Sequence, residues 1–200
     1  MVIVGGYDAV PQDMLTHGCA MTVGKFDGLH AGHMAVINRV ALASRRDQAN
    51  DMPPLLSVVF TFAHNPKAIL TGAQVFPLMD NAEAEGILTS AGIDLLIRQP
   101  FDKRFADLGP ESFCDIVFGT LNCKKFVLTP DFRFGKDRQG NINLLGEFAK
   151  RYSASIEVVD FETLNGARIS STGIRKLLEC GDIINAEKML GRMIRRDINV

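Results

Sequence analysis

The sequence predicts an α/β fold: a doubly wound parallel sheet of about five strands with helices on both faces. Three observations predict it. Strand-like and helix-like segments alternate five times along the 200 residues. The strand-like segments are continuously apolar, as expected where both faces of a sheet are covered. No internal repeat, low-complexity tract or linker interrupts the alternation, so residues 1–200 are expected to form one domain.

Each element follows from its local pattern. CAMTVG (19–24) reads as a buried strand, followed by a glycine-rich turn and a helix near 33–48. Met34, Ile37, Val40 or Ala41, and Ser44 mark one face of that helix. LLSVVFTF (55–62) is an apolar, β-branched strand that ends in the loop AHNPKAILTG. A helix near 81–91 precedes a third strand, GIDLLIR (92–98). PESFCDIVFGTL (110–121) opens with proline in a first helical turn and leads to a fourth strand, KKFVLT (124–129). The loop PDFRFGKDRQG, a helix near 141–152 and a fifth strand, ASIEVVDF (154–161), come next. Two helices close the chain, one after Ser171 and one near 182–190.

The composition narrows the partners. With 46% hydrophobic residues, 22% charged residues and a formal net charge of −1, the chain offers no long-range attraction to nucleic acid or an anionic membrane. Neither is expected as a partner, and an anionic ligand must be held by local groups. The start MVIVGGYDAV lacks the pattern of a signal peptide, and no apolar run reaches membrane-spanning length. Cys19, Cys114, Cys123 and Cys180 are widely spaced with no C-x-x-C pair, which fits reduced thiols and a cytoplasmic setting.

Ligands of such sheets bind beyond the carboxyl ends of the strands, at the point where the strand order reverses. The turn after the first predicted strand, VGKFDGLHAGHM, holds two of the chain's four histidines, His30 and His33. At a helix entrance these imidazoles join unpaired backbone N–H groups that favour anions. Gly24, Gly28 and Gly32 let the backbone come close to a phosphate. Two surface histidines, or a metal site lacking a clear third ligand, are the competing readings, while the G-x-G-x-x-G spacing of a dinucleotide fingerprint is not met. Further along, Ser170, Ser171 and Thr172 precede a helix with Arg175 one turn inside, which reads either as plain capping or as a second anion site. Arg133, Lys136 and Arg138 crowd the loop after the fourth strand, which also reads as a solvated charged loop. Asp27, just before Gly28, reads locally as turn or capping chemistry.

Four segments together resemble one family. VGKFDGLHAGH is similar to the signature GxFDGxHxGH, and DFRFGKDRQGNINLL to a DFRFG segment. RISSTGIRKLLECGDIINAEKMLGR is similar to an ISSTxIR segment with its helix pair, and PFDKRFADLGPESF to the stretch after the third strand. In order, and over roughly residues 19–192, these resemble the FMN adenylyltransferase module of the bacterial bifunctional riboflavin kinase/FAD synthetases, within the HxGH nucleotidyltransferase superfamily. The resemblance implies a Rossmann-like fold and transfer of AMP from ATP to FMN, giving FAD and pyrophosphate with Mg²⁺. It implies catalytic roles for His30 and His33. It places Gly24, Phe26, Asp27, Gly28, Ser170, Ser171, Thr172 and Arg175 around the ATP phosphates, and Asp131 near the nucleotide or its metal. Phe62, Asn65 and Pro66 would meet the flavin, and metal ligands are left unassigned.

The chain departs from the pattern where flavin is expected. TFAHNP (61–66) stands for the usual TFDPHP, so Ala63, His64 and Asn65 replace an acid, a proline and a histidine. Thr129 and Pro130 replace the residues usual before DFRFG, and Ala84 stands where a lysine is common. Another phosphorylated acceptor, or a nucleotide- or flavin-binding paralogue with little turnover, is therefore the alternative. The chain has no room after LGR for the C-terminal riboflavin kinase domain that the resemblance implies, so that domain is expected to be absent. A homo-oligomer or a separate riboflavin kinase stays open as a partner.

Overall fold

The computed structural model describes residues 1–45, 53–64, 66, 69, 72 and 76–194. Six strands form one parallel sheet: β1 (Val2–Val4), β2 (Cys19–Val23), β3 (Leu56–Phe62), β4 (Leu95–Gln99), β5 (Cys123–Leu128) and β6 (Ser155–Val158). Their order is β1-β4-β3-β2-β5-β6. The chain leaves β2 toward β3 and β4, then crosses back to place β5 on the other side of β2. The reversal point is thus the crevice between the carboxyl ends of β2 and β5.

The sheet has one strand more than predicted. VIV at the N-terminus pairs with β4 through Val2↔Leu95 and Ile3↔Leu96. At three residues, with Val2 44% and Ile3 41% exposed, it lacks the apolar length that marks the buried strands. A second sheet is a two-residue hairpin of β7 (Thr163–Leu164) and β8 (Ala167–Arg168). Asn165 and Gly166 turn it at φ of 50° and 78°, the backbone that an Asn-Gly turn favours.

Strand edges shift as well. β4 begins at Leu95 and not at Gly92, because Gly92 turns at φ 81° and the Asp94 carboxylate accepts from Ser57 N at 2.9 Å. β6 stops at Val158.

Both faces of the sheet are covered. Cys19, Met21 and Val23 of β2 point into one cluster with β3, β4 and β5. That cluster packs against α4 (Pro110–Cys114) and α5 (Ile142–Arg151). The segment predicted as one helix over 110–121 continues after α4 as a π-helical stretch at Asp115–Thr120, with Leu121 N donating to Ile116 O at 2.9 Å. Ala20, Val59, Leu96 and Val127 face the opposite cluster, covered by α1 (Ala31–Ala43) and α2 (Asn81–Ser90). α1 ends at Ala43 with Ser44 as its C-cap, short of the predicted residue 48, and residues 46–48 lie outside the described ones.

A short α3 (Lys103–Ala106) follows β4. The closing pair, α6 (Ser171–Glu179) and α7 (Ile183–Leu190), builds a third cluster of Ile174, Ala186, Met189 and Leu190 with Leu78 and Ile169. Cys19, Cys114 and Cys123 are buried free thiols, and Cys180 is exposed. No helix among the described residues is long and apolar enough to cross a membrane.

Candidate active site

The His pair is built by an unusual turn. After β2, Gly28 and Leu29 take φ of 86° and 36°, two consecutive left-handed residues of which only glycine enters that region easily. A side chain on Gly28 would also lie 2.9 Å from Leu78. The turn delivers His30 as the N-cap of α1, its Nδ1 accepting from His33 N at 3.3 Å. Because Nδ1 accepts, the ring proton of His30 is assigned to Nε2. The two imidazoles stack with centroids 3.6 Å apart, and Phe26 meets His33 edge-on at 5.3 Å. His33 Nδ1 is buried and has no hydrogen-bond partner among the described residues.

Both histidines are neutral at pH 7. Burial pushes His30 down to about 4 against the attraction of Asp27, with Arg168 and Arg192 adding repulsion. Burial, reinforced by His30 and Lys25, pushes His33 down to about 3. Burial thus holds both rings as neutral hydrogen-bonding groups in this chain. The sign for stability follows. The unfolded chain protonates its histidines near the ordinary 6.5, before the folded state does, so stability falls as pH drops below that value. We expect the melting temperature to decline between about pH 6.5 and 4.5, with a shallower decline in His33→Asn. Equal slopes in the two proteins would show that His33 is not held neutral.

Asp27 has no local turn role. Two of its partners lie 51 and 148 positions away: Oδ1 accepts from Leu78 N at 3.0 Å, and Oδ2 pairs with Arg175. Lys25 Nζ lies 3.2 Å from the same Oδ2. Burial pushes the Asp27 pKa up, but the Leu78 amide, Arg175 and Lys25 outweigh it and hold the carboxyl below its ordinary value. Arg175 also grips the Phe76 carbonyl through Nε at 3.1 Å and Nη2 at 2.6 Å. Ser171 Oγ donates to the Asp27 carbonyl at 2.8 Å, and Ser170 caps α6 by accepting from Gly173 N at 3.1 Å. Thr172 is exposed. The structure thus brings Asp27, Ser170, Ser171 and Arg175 together, with Ser170 acting as the cap.

A cleft of about 930 Å³ opens at the β2/β5 crevice. Gly24, Phe26 and His33 line it from the β2 side, Phe62 and Pro66 from the end of β3, and Asp131 from beyond β5. Asn65 lies outside the described residues. Arg133 and Arg138 also line the cleft, whereas Lys136 pairs with Asp107 at 2.9 Å. The sequence reading missed most of the aromatic wall. Phe101 and Phe105 pack on Phe62 at 5.3 and 5.8 Å, and Phe113, Phe132 and Phe134 extend the surface.

Asp131 accepts from Thr129 Oγ at 2.8 Å and pairs with Arg168 Nη2 at 2.8 Å. These partners overcome burial and hold the carboxyl below its ordinary value. Thr129, a departure from the family pattern, thereby orients Asp131. Arg168 was also missed; its guanidinium stacks 3.5 Å over Phe161. Among the described residues, no group of three or more His, Cys, Asp or Glu side chains could hold a metal. A second cavity of about 280 Å³ lies between α2 and the ends of β3 and β4, where Ala63, His64, Ala84 and Arg98 line it.

The FAD synthetase family model matches residues 12–173. A FAD synthetase of Listeria monocytogenes is 30% identical over 178 residues, covering 88% of this chain and 70% of that protein. A bifunctional riboflavin kinase/FMN adenylyltransferase of Haemophilus influenzae is 33% identical over 183 residues. That match covers 89% of this chain, which spans 56% of the Haemophilus protein. Among solved structures, a Streptococcus pneumoniae chain titled a macrolide-efflux protein superposes with TM-score 0.78 at 26% identity, covering 96% of this chain and 62% of that one. A pantoate-beta-alanine ligase of Francisella tularensis superposes with TM-score 0.57 at 17% identity over 100% of this chain and 82% of that one, a likeness of fold alone. By the extent of the family match and these relatives, the chain belongs to the FAD synthetase family.

Proposed function

We propose that this chain transfers AMP from ATP to FMN, giving FAD and pyrophosphate. One observation carries the reading: a single cleft joins Gly24, Gly32 and His33, at the entrance of α1, to a wall of phenylalanines of a size that suits a flavin. In the transfer, an oxygen of the FMN phosphate attacks the α-phosphorus of ATP. The bond from that phosphorus to the β-phosphate bridging oxygen breaks, and pyrophosphate leaves. Such chemistry needs positioning and charge stabilisation and no covalent enzyme intermediate.

His30 and His33 supply neutral N–H donors beside the α-phosphate, where negative charge builds in the transition state. The first backbone amides of α1 add to the same anion site, and Ser171 and Arg175 hold the triphosphate from the α6 side. Mg²⁺ suits this donor set only as a partner of the nucleotide, since it is commonly held by one or two carboxylates together with substrate phosphates. Asp131, at the cleft rim and paired with Arg168, would be a carboxylate to meet such an ion, which would neutralise triphosphate charge.

The test is incubation of the purified chain with ATP, Mg²⁺ and FMN, with FAD and pyrophosphate followed by chromatography. FAD in step with pyrophosphate is the expected result; ATP binding without FAD would refute the acceptor. Ala63 and His64 favour a second reading, transfer to another phosphorylated acceptor, because they alter the loop that ends β3. In that case pyrophosphate would form with a different phosphate ester and not with FMN.

A further inference from the structure

We propose that Arg192 is a positioning residue for the transfer step, holding the Gly28–Leu29 turn that orients His30 and His33. The inference rests on the reading of this cleft as an adenylyltransferase centre. Arg192 lies beyond residues 12–173, the span matched by the family model. Gly191, at φ 72°, ends α7 in the left-handed conformation, and the side chain of the next residue, Arg192, reaches the turn before α1.

There Arg192 Nη1 donates to the Gly28 carbonyl at 2.6 Å, and Nε donates to Glu83 Oε1 at 2.7 Å. Nη2 rests 3.6 Å from the Met79 sulfur. Glu83 is itself fixed in the first turn of α2, its N–H donating to Asp80 Oδ1 at 2.7 Å. The side chains of Arg192 and Glu83 are only 20% and 12% exposed, so the guanidinium fork is held in one place.

What Arg192 grips is the strained part of the site. Leu29 has φ 36°, a conformation that persists for a side-chain-bearing residue only where its surroundings fix it. Leu29 is 2% exposed and anchored in the core, while Arg192 anchors the preceding carbonyl. The next residue is His30, so a rotation of the Gly28–Leu29 peptide would tilt the cap and the imidazole stacked on it. The positive guanidinium also helps keep His30 neutral.

The test is Arg192→Met, which keeps an apolar stem and removes the donors, assayed beside wild type for FAD formation and by NMR of the imidazoles. The expected kcat per folded molecule falls between about tenfold and a hundredfold, with KM for ATP and FMN nearly unchanged, as for a misplaced catalytic group. Arg192→Lys recovers part of kcat, because one donor still reaches the Gly28 carbonyl. The His30 and His33 resonances move, whereas those of His17 and His64 stay. A merely structural tie would lower the melting temperature and leave kcat and the resonances alone, and that result overturns the proposal. If R192M does not fold, E83Q is read in the same two assays, and normal kcat with unmoved resonances there overturns it equally. If wild type makes no FAD, the adenylyltransferase reading fails on its own, and the resonances still decide whether Arg192 sets the His pair.

Discussion

His33→Ala lowers kcat for FAD formation by at least about a hundredfold, with KM for ATP little changed and the fold intact. The size follows from the loss of one donor aimed at developing charge, which in an acyl-transfer oxyanion hole is worth about 2.7 kcal/mol or more. The intact fold follows from the geometry. The bond that caps α1 runs from the backbone N–H of His33 to His30 Nδ1, so alanine at position 33 keeps it. The ring itself packs on His30 and Phe26 at the edge of the cleft. Its removal therefore enlarges the cleft that the ring lines and opens no sealed cavity in the core. His30→Ala is the less clean experiment, because it removes the cap as well as an imidazole and should cost about 1 kcal/mol of helix stability. Steady-state kinetics with a parallel thermal melt would decide. Near-normal kcat in a folded His33→Ala protein would take the His pair out of the mechanism.

The depth to which the sequence could be read depended on whether a feature was local. β2, β3 and β5 are apolar runs long enough to be unmistakable, and the HxxH turn falls at the reversal point that such a strand order creates. β1 escaped because three half-exposed residues at a sheet edge look like any apolar terminus. The β7–β8 hairpin escaped although Asn165-Gly166 is a strong turn signal, because strands of two residues have no pattern of their own. The helix-entrance pattern singled out His30 and His33 and the family resemblance added Asp131; His33 and Asp131 line the cleft, but neither signal could show how charges divide among the three. Asp27 looked like a turn residue because Gly28 follows it. Its partners come from Leu78 and Arg175, and no local pattern reports a contact 148 positions away. Arg168, Arg192, Phe101 and Phe105 were missed for the same reason: each acquires its role only when a distant segment folds against it. The departures at Thr129 and Ala84 also changed meaning. Thr129 orients Asp131, and Ala84 lines a cavity beside α2.

Arg175→Ala raises KM for ATP by about tenfold or more and lowers stability by roughly 2 kcal/mol, the range expected when hydrogen bonds to charged groups are lost. Arg175 answers to the Asp27 carboxylate, the Phe76 carbonyl and, at 3.4 Å, the Ser171 carbonyl through one guanidinium at the entrance of α6. Without it Asp27 keeps Lys25 at 3.2 Å and the Leu78 amide, so its burial is only partly uncompensated and the fold survives. The pH dependence has a definite sign. Asp27 titrates below its ordinary 3.8 in the folded chain, so its pairing stabilises the protein above that pH and is lost in more acid solution. Arg175→Ala should shrink that loss. Arg175→Lys separates the two roles, because an ammonium can neutralise Asp27 but cannot fork across a carbonyl and a phosphate. The lysine variant should regain most of the melting temperature and little of the ATP affinity. If both variants lower the melting temperature and neither moves KM, Arg175 is a clamp between the FDG turn and Phe76, and Ser171 with the α6 amides is left to hold the triphosphate.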